Sequence, residues 1–153
     1  MSGHRDILIV EDNPADVRLM REVLRDFHPP IHLHVMAEGD EALLFLQRKG
    51  KYSDAPTPQL IFLDFNLPKS DSREILGFIK KDERLRLIPV AVLTTSDADR
   101  DIREAYELHA NCYLRKPSDL DGFFETIRAA AHFWLEVAHV PAEVGSGTNG
   151  PHL

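Results

Sequence analysis

Five short apolar runs, each followed by a stretch with helical spacing, constrain this chain more than any other feature of it. The runs are Ile7–Val10, Ile31–Met36, Leu60–Leu63, Pro89–Leu93 and Cys112–Leu114. Most are continuous in apolar character, which suits strands covered on both faces, as in a parallel sheet. The second run differs: Ile31, Leu33 and Val35 alternate with His32, His34 and Met36. Alternation predicts an edge strand with one face partly wet.

Each run leads into a helix with a recognisable start. Asn13-Pro14 offers a cap followed by proline at the first helical position, with Asp16 three residues after Asn13. Val17, Met20, Val23, Leu24 and Phe27 then recur at helical spacing. Gly39-Asp40-Glu41 opens a helix carrying Leu43, Leu44 and Leu46. Asp71 with Glu74, Ser96 with Asp99, and Ser118 with Asp121 resemble capping boxes at three further helix starts. Five strand–helix units in strict alternation predict right-handed crossovers and an open α/β sandwich with a doubly wound, five-stranded parallel sheet. The last helix, from Asp119 to about Val140, would run about 30 Å at 1.5 Å per residue, longer than such a sheet needs.

The 153 residues suffice for one domain and its core. We expect the domain over residues 5–140 and a flexible Gly- and Pro-rich tail over 141–153. Asp and Glu outnumber Lys and Arg by 25 to 18, a net charge of −7, which argues against a nucleic-acid partner. The single cysteine, Cys112, excludes a disulfide framework within the chain. No apolar run is long enough to span a membrane or to serve as a signal-peptide core, so the expectation is a soluble cytoplasmic protein with no membrane association.

In open α/β sheets, chemistry gathers at the carboxyl ends of the strands. Here the first strand ends in Glu11-Asp12, the third in Asp64 and the fourth in Thr94-Thr95-Ser96, and the fifth is followed by Arg115-Lys116-Pro117. Each alone has an ordinary reading as a cap, turn or surface loop. Together they would bring three carboxylates, a hydroxyl and an ammonium to one edge. Three carboxylates within about 4 Å repel by about 1 kcal/mol per pair even in water, and more when partly buried. Such a cluster requires a cation or raised pKa values. Hard oxygen ligands with no neighbouring Cys or His select Mg²⁺. An aspartate beside that ion can act as a nucleophile on phosphorus, with Lys116 and Thr94 as partners for the phosphoryl oxygens.

These residues carry a resemblance. Leu8-Ile9-Val10-Glu11-Asp12-Asn13, Leu63-Asp64-Phe65-Asn66-Leu67-Pro68, Val92-Leu93-Thr94-Thr95-Ser96 and Tyr113-Leu114-Arg115-Lys116-Pro117 are similar to the four motifs of receiver domains of two-component response regulators. Thirty residues separate Asp64 from Thr94, and twenty-two separate Thr94 from Lys116, as in that family. The resemblance covers about residues 5 to 138. It implies a flavodoxin-like strand order 2-1-3-4-5 and a phosphoryl group accepted on Asp64 from a histidine kinase. It implies Mg²⁺ held by Glu11, Asp12, Asp64 and the backbone carbonyl of Asn66, with Thr94 and Lys116 against the phosphoryl group. Tyr113 would be the aromatic switch partner of Thr94, and the Lys116-Pro117 bond would be cis. Ser72 stands where many receivers have glycine; it is expected off the phosphoryl site, where it bears on loop shape alone.

Asn66-Leu67-Pro68-Lys69, Asn111-Cys112-Tyr113 and the late Phe133-Trp134-Leu135 resemble a subfamily, the single-domain regulators serving phytochrome-type photoreceptor kinases. That resemblance implies a bacteriophytochrome as the kinase. Phe133, Trp134, Leu135 and Val137 add apolar surface near the end of the last helix, and we expect them at a homodimer interface. Only 37 residues follow Lys116, so output is expected through a protein contact, or the protein serves as a phosphate sink. A constitutive dimeric adaptor with an idle site is the second reading. A flavoprotein is disfavoured, because Glu11-Asp12-Asn13-Pro14 would repel a flavin phosphate. His32 and His34 share a strand face but lack a third ligand, so an edge-strand surface pair is expected. Cys112 is expected to pack in the fifth strand. Asp97, Asp99, Asp101 and Glu104 read as a solvated helix face.

Overall fold

The computed structural model describes residues 5–68 and 71–141. Five strands, β1 (Asp6–Val10), β2 (His32–Met36), β3 (Leu60–Asp64), β4 (Val90–Thr94) and β5 (Cys112–Arg115), alternate with five helices. The helices are α1 (Pro14–Leu24), α2 (Gly39–Gln47), α3 (Ser72–Lys81), α4 (Asp99–Glu107) and α5 (Leu120–His132). The strand order is β2-β1-β3-β4-β5 and every pairing is parallel, as the resemblance implied.

The apolar runs behave as their continuity predicts. Every residue of β1, β3 and β4 is buried. Successive residues feed opposite faces of the sheet. Leu8, Val10, Ile61, Leu63, Val90 and Val92 pack with Phe45 of α2 and with Ile75, Leu76 and Ile79 of α3. Ile7, Ile9, Leu60, Phe62, Ala91 and Leu93 pack with Met20 and Leu24 of α1 and with Phe123, Ile127 and Ala131 of α5. Each fully buried Leu, Ile or Phe side chain contributes about 1.5–3 kcal/mol to this arrangement. The alternating run, β2, lies at one edge and grades from exposed His32 to buried Met36. His34 is more than a surface residue, because its Nε2 lies 2.9 Å from Asp6 Oδ1 and its ring packs on Phe45. Cys112 is half-buried against the α1/α5 side of the core.

Helix starts are fixed locally, though not always by the predicted residue. Asn13 Oδ1 accepts from the amides of Ala15 and Asp16, and Asp71 Oδ1 accepts from that of Arg73. The caps of α4 and α5 are Ala98 and Asp119, not Ser96 and Ser118. Asp119 is one residue closer to the first turn and receives the Gly122 amide. Ser96 is drawn into the strand-end loop instead, where its Oγ donates to Asp101 Oδ2 at 2.6 Å.

The last helix is shorter than expected. Regular α-helix stops at His132, and a wider π-type turn over Phe133–Val137 ends it. The Ala138 amide closes that turn on the Phe133 carbonyl, and Ala138 itself is extended. Pro141 follows, and proline disfavours helical backbone in the residue before it. Arg5 and His132 both hold Glu136, tying this end to the start of β1. Trp134 and Leu135 pack inward on the core, whereas Phe133 and Val137 are exposed. The tail expected over 141–153 lies, from residue 142 on, outside the described residues. Among the described residues, no helix is long and apolar enough to cross a membrane.

Candidate functional site

The parallel register sets β1, β3 and β4 side by side, so their carboxyl ends open onto one edge. Glu11 and Asp12 follow β1, Asp64 ends β3, Thr94 ends β4, and Lys116 follows β5. One carboxylate oxygen from each of Glu11, Asp12 and Asp64 lies within 4.8 Å of the other two. Glu11 and Asp64 are buried, whereas Asp12 is exposed. This is the one such group of metal-ligating side chains among the described residues. His32 and His34 form none.

The cluster carries unbalanced charge. Glu11 is pushed up to about 7 by its burial and by the hydrogen bond it shares with Asp64, against the opposing pull of Lys116. Lys116 Nζ donates to Glu11 Oε1 and to Asp16 Oδ2, each at 2.9 Å, and lies 3.7 Å from Asp64 Oδ2. Burial acts to lower the lysine, but its bonds to Glu11 and Asp16 outweigh that and raise it. One ammonium among several carboxylates leaves net negative charge in a partly dry site. A divalent cation coordinated by oxygen fits such a donor set.

Asn66 links the two sides of the site. Its amide donates to Asp64 Oδ1 at 2.9 Å, and its side-chain Nδ2 donates to Thr94 Oγ1 at 2.9 Å. Thr94 is buried and also accepts from the Ser96 amide. Tyr113 is half-buried beside this loop, its hydroxyl donating to the Ser96 carbonyl at 2.9 Å. The residues expected at the phosphoryl site thus stand at one edge: Glu11, Asp12 and Asp64 cluster, Lys116 reaches Glu11 and Asp64, and Asn66 connects Asp64 to Thr94.

Four local expectations need correction. Ser72 bears on more than loop shape: buried, it donates from Oγ to the Asp64 backbone carbonyl at 2.6 Å. A glycine could not make that bond. The Lys116-Pro117 bond is trans, and the cis bond among the described residues joins His28 to Pro29. Trans is the lower-energy isomer by about 0.5–1 kcal/mol even before proline. The acidic face of α4 is not simply solvated. Arg73 of α3 reaches Glu104 at 2.6 Å and Asp101 at 3.5 Å while lying over the Phe65 ring. Finally, Asp16 belongs to the lysine's surroundings, although the sequence marked it only as an acid in the first turn of a helix. No spacing rule links it to a residue one hundred positions away.

Comparison with known proteins agrees with this geometry. The family model "Response regulator receiver domain" matches residues 7–128. The response regulator Rcp1 of a Synechocystis species is 46% identical over 136 residues, covering 89% of this chain and 92% of that one. The crystal structure of the phosphorylated cyanobacterial phytochrome response regulator RcpA is 43% identical, with a TM-score of 0.89 over 92% of this chain and 100% of that chain. The Mn²⁺-bound form of Rcp1 superposes with a TM-score of 0.85 at 46% identity, over 90% of this chain and 99% of that one. Motifs, sheet order and these likenesses agree, and the chain belongs to the receiver-domain family of two-component response regulators.

Proposed function

We propose that Asp64 accepts a phosphoryl group from a histidine kinase of the phytochrome type, in the cytoplasm, and that residues 5–140 form the complete phosphoacceptor unit. The observation that carries this reading is the setting of Asp64: buried, clustered with Glu11 and Asp12, within reach of Lys116, and linked through Asn66 to Thr94. The phytochrome partnership rests on the likeness to Rcp1 and RcpA.

Glu11, Asp12, Asp64 and the backbone carbonyl of Asn66 would hold Mg²⁺. When bound, the ion neutralises the crowded carboxylates and offsets charge on the phosphoryl oxygens. An Asp64 carboxylate oxygen attacks phosphorus as the P–N bond to the kinase histidine breaks, and the imidazole nitrogen takes up a proton. Thr94 offers its hydroxyl and Lys116 its ammonium to the phosphoryl oxygens. Turning Thr94 toward them breaks its contact with Asn66, and Tyr113, held to the Ser96 carbonyl, moves with that loop. Hydrolysis returns Asp64 as a carboxylate when water attacks phosphorus.

Incubation with Mg²⁺ and acetyl phosphate should label the protein, and Asp64→Asn should abolish the label. Equal labelling of wild type and variant, or none of either, would overturn the proposal and favour a phosphorylation-independent adaptor. We further propose a homodimer through the end of the last helix, with outward-facing Phe133 and Val137 meeting a second copy and Trp134 and Leu135 supporting them from beneath. Sedimentation should show a dimer that Val137→Glu converts to monomer. A monomeric wild type at all concentrations would exclude this interface.

A further inference from the structure

Lys116 has more acidic company than its expected role requires. An ammonium has three N–H donors. Two of them are committed at 2.9 Å, one to Glu11 and one to Asp16. The distance to Asp64, 3.7 Å, is longer than a hydrogen bond. The lysine therefore stands in ion-pair range of the phosphoacceptor without a hydrogen bond to it.

Asp16 has an ordinary role available. It sits in the first turn of α1, where a carboxylate complements the helix dipole and needs no partner. Its side chain nevertheless reaches across the site to Lys116, and the pair is largely withdrawn from solvent, at 22% and 10% exposed. Water screens such a pair less than a surface pair. Asp16 is absent from the acidic cluster formed by Glu11, Asp12 and Asp64. A cation held by that cluster would draw on Glu11 and leave Asp16 as the lysine's remaining anchor. Any contact made before phosphorylation and lost after it weighs against the phosphorylated arrangement.

We infer that Asp16 is a positioning residue that holds Lys116 back from Asp64 and thereby sets how readily the site takes up a phosphoryl group. This rests on the phosphoacceptor reading of Asp64. Asp16 touches neither the metal nor the phosphoryl group; it acts through the lysine. Its removal should favour the arrangement in which Lys116 meets the phosphoryl oxygens.

The test is the affinity of the full chain for beryllofluoride, a stable phosphoryl mimic, at saturating Mg²⁺, read by calorimetry or fluorine NMR. Asp16→Asn should bind it about three- to tenfold more tightly than wild type. Asp16→Ser serves as a second variant if the amide replacement does not fold. In a chain carrying Lys116→Gln, the same change at Asp16 should alter the affinity by less than about twofold, because the intermediary is gone. Unchanged or weaker binding by the Asp16 variants would overturn the inference. So would equal tightening without Lys116, which would reveal simple repulsion between Asp16 and the anion. Absence of beryllofluoride binding by wild type would strike the phosphoacceptor reading itself and carry the inference with it.

Discussion

Two half-buried lysines stand at opposite ends of the strands β4 and β5, and they are held in opposite ways. At the amino end, Lys80 donates to the carbonyls of Arg86 and Ile88 and to Asn111 Oδ1, all neutral acceptors. At the carboxyl end, Lys116 donates to two carboxylates and stands near a third. Burial lowers Lys80 to about 8. Lys116 experiences the same burial but is raised, because Glu11 and Asp16 oppose it. At the amino end, dipoles alone meet the charge of Lys80. The carboxyl end gathers more negative charge than its lysine can balance, and that surplus is what a cation and a phosphoryl group can exploit.

The comparison is most open to breakage at Lys116. Lys116→Ala leaves the buried carboxylates of Glu11 and Asp64 without their cation, and breaking a buried pair on one side typically costs about 3–5 kcal/mol. Lys116 is slightly exposed, so we expect about 3 kcal/mol by urea unfolding, with much of it restored by millimolar Mg²⁺. A loss below about 1 kcal/mol would mean that the acids do not need the lysine, Glu11 taking up a proton in its place.

A smaller loss is expected at the amino end. Asn111 Oδ1 accepts from both Lys80 Nζ and the Val90 amide. Asn111→Ala should cost about 1–2 kcal/mol, because two donors lose one shared acceptor. Mg²⁺ should leave that value unchanged, in contrast to Lys116→Ala.

The smallest effect is the pH response of Lys80. Its value in the fold, about 8, lies below the ordinary 10.5. Folding therefore releases a proton between these limits, and stability rises as pH climbs from about 8 toward 10.5. Allowing for solvent screening, the gain is about 1 kcal/mol. Lys80→Met should abolish this contribution, visible as a flatter stability profile across that range. An equal rise in the variant would assign it to another group.

The fold was largely legible before any coordinate. Continuous apolar runs marked β1, β3 and β4, and alternation marked β2 as an edge, because burial on two faces and on one leave different patterns in a strand. Glu11, Asp12, Asp64, Thr94 and Lys116 were legible because strand ends in a parallel sheet share an edge. In the sequence Ser72 was legible only as a loop-shape residue, Asp16 as part of a helix start and His34 as half of a surface pair. Their partners are the Asp64 carbonyl, Lys116, and a neighbouring strand. Nothing local to any of them names that partner.

The amino-acid order by itself determined the five strands and five α-helices, their alternation, and which polar residues would terminate each strand. These depend on periodicity and local backbone chemistry, which act over a few residues. Only the tertiary structure decided how the site's charge is shared: that Lys116 leans on Glu11 and Asp16 more closely than on Asp64, that Ser72 ties the start of α3 to the end of β3, and that the last helix yields to a wider turn at Phe133. Those outcomes depend on distances of a few ångströms between residues far apart in the chain, and such distances exist only once the sheet has brought its strands together.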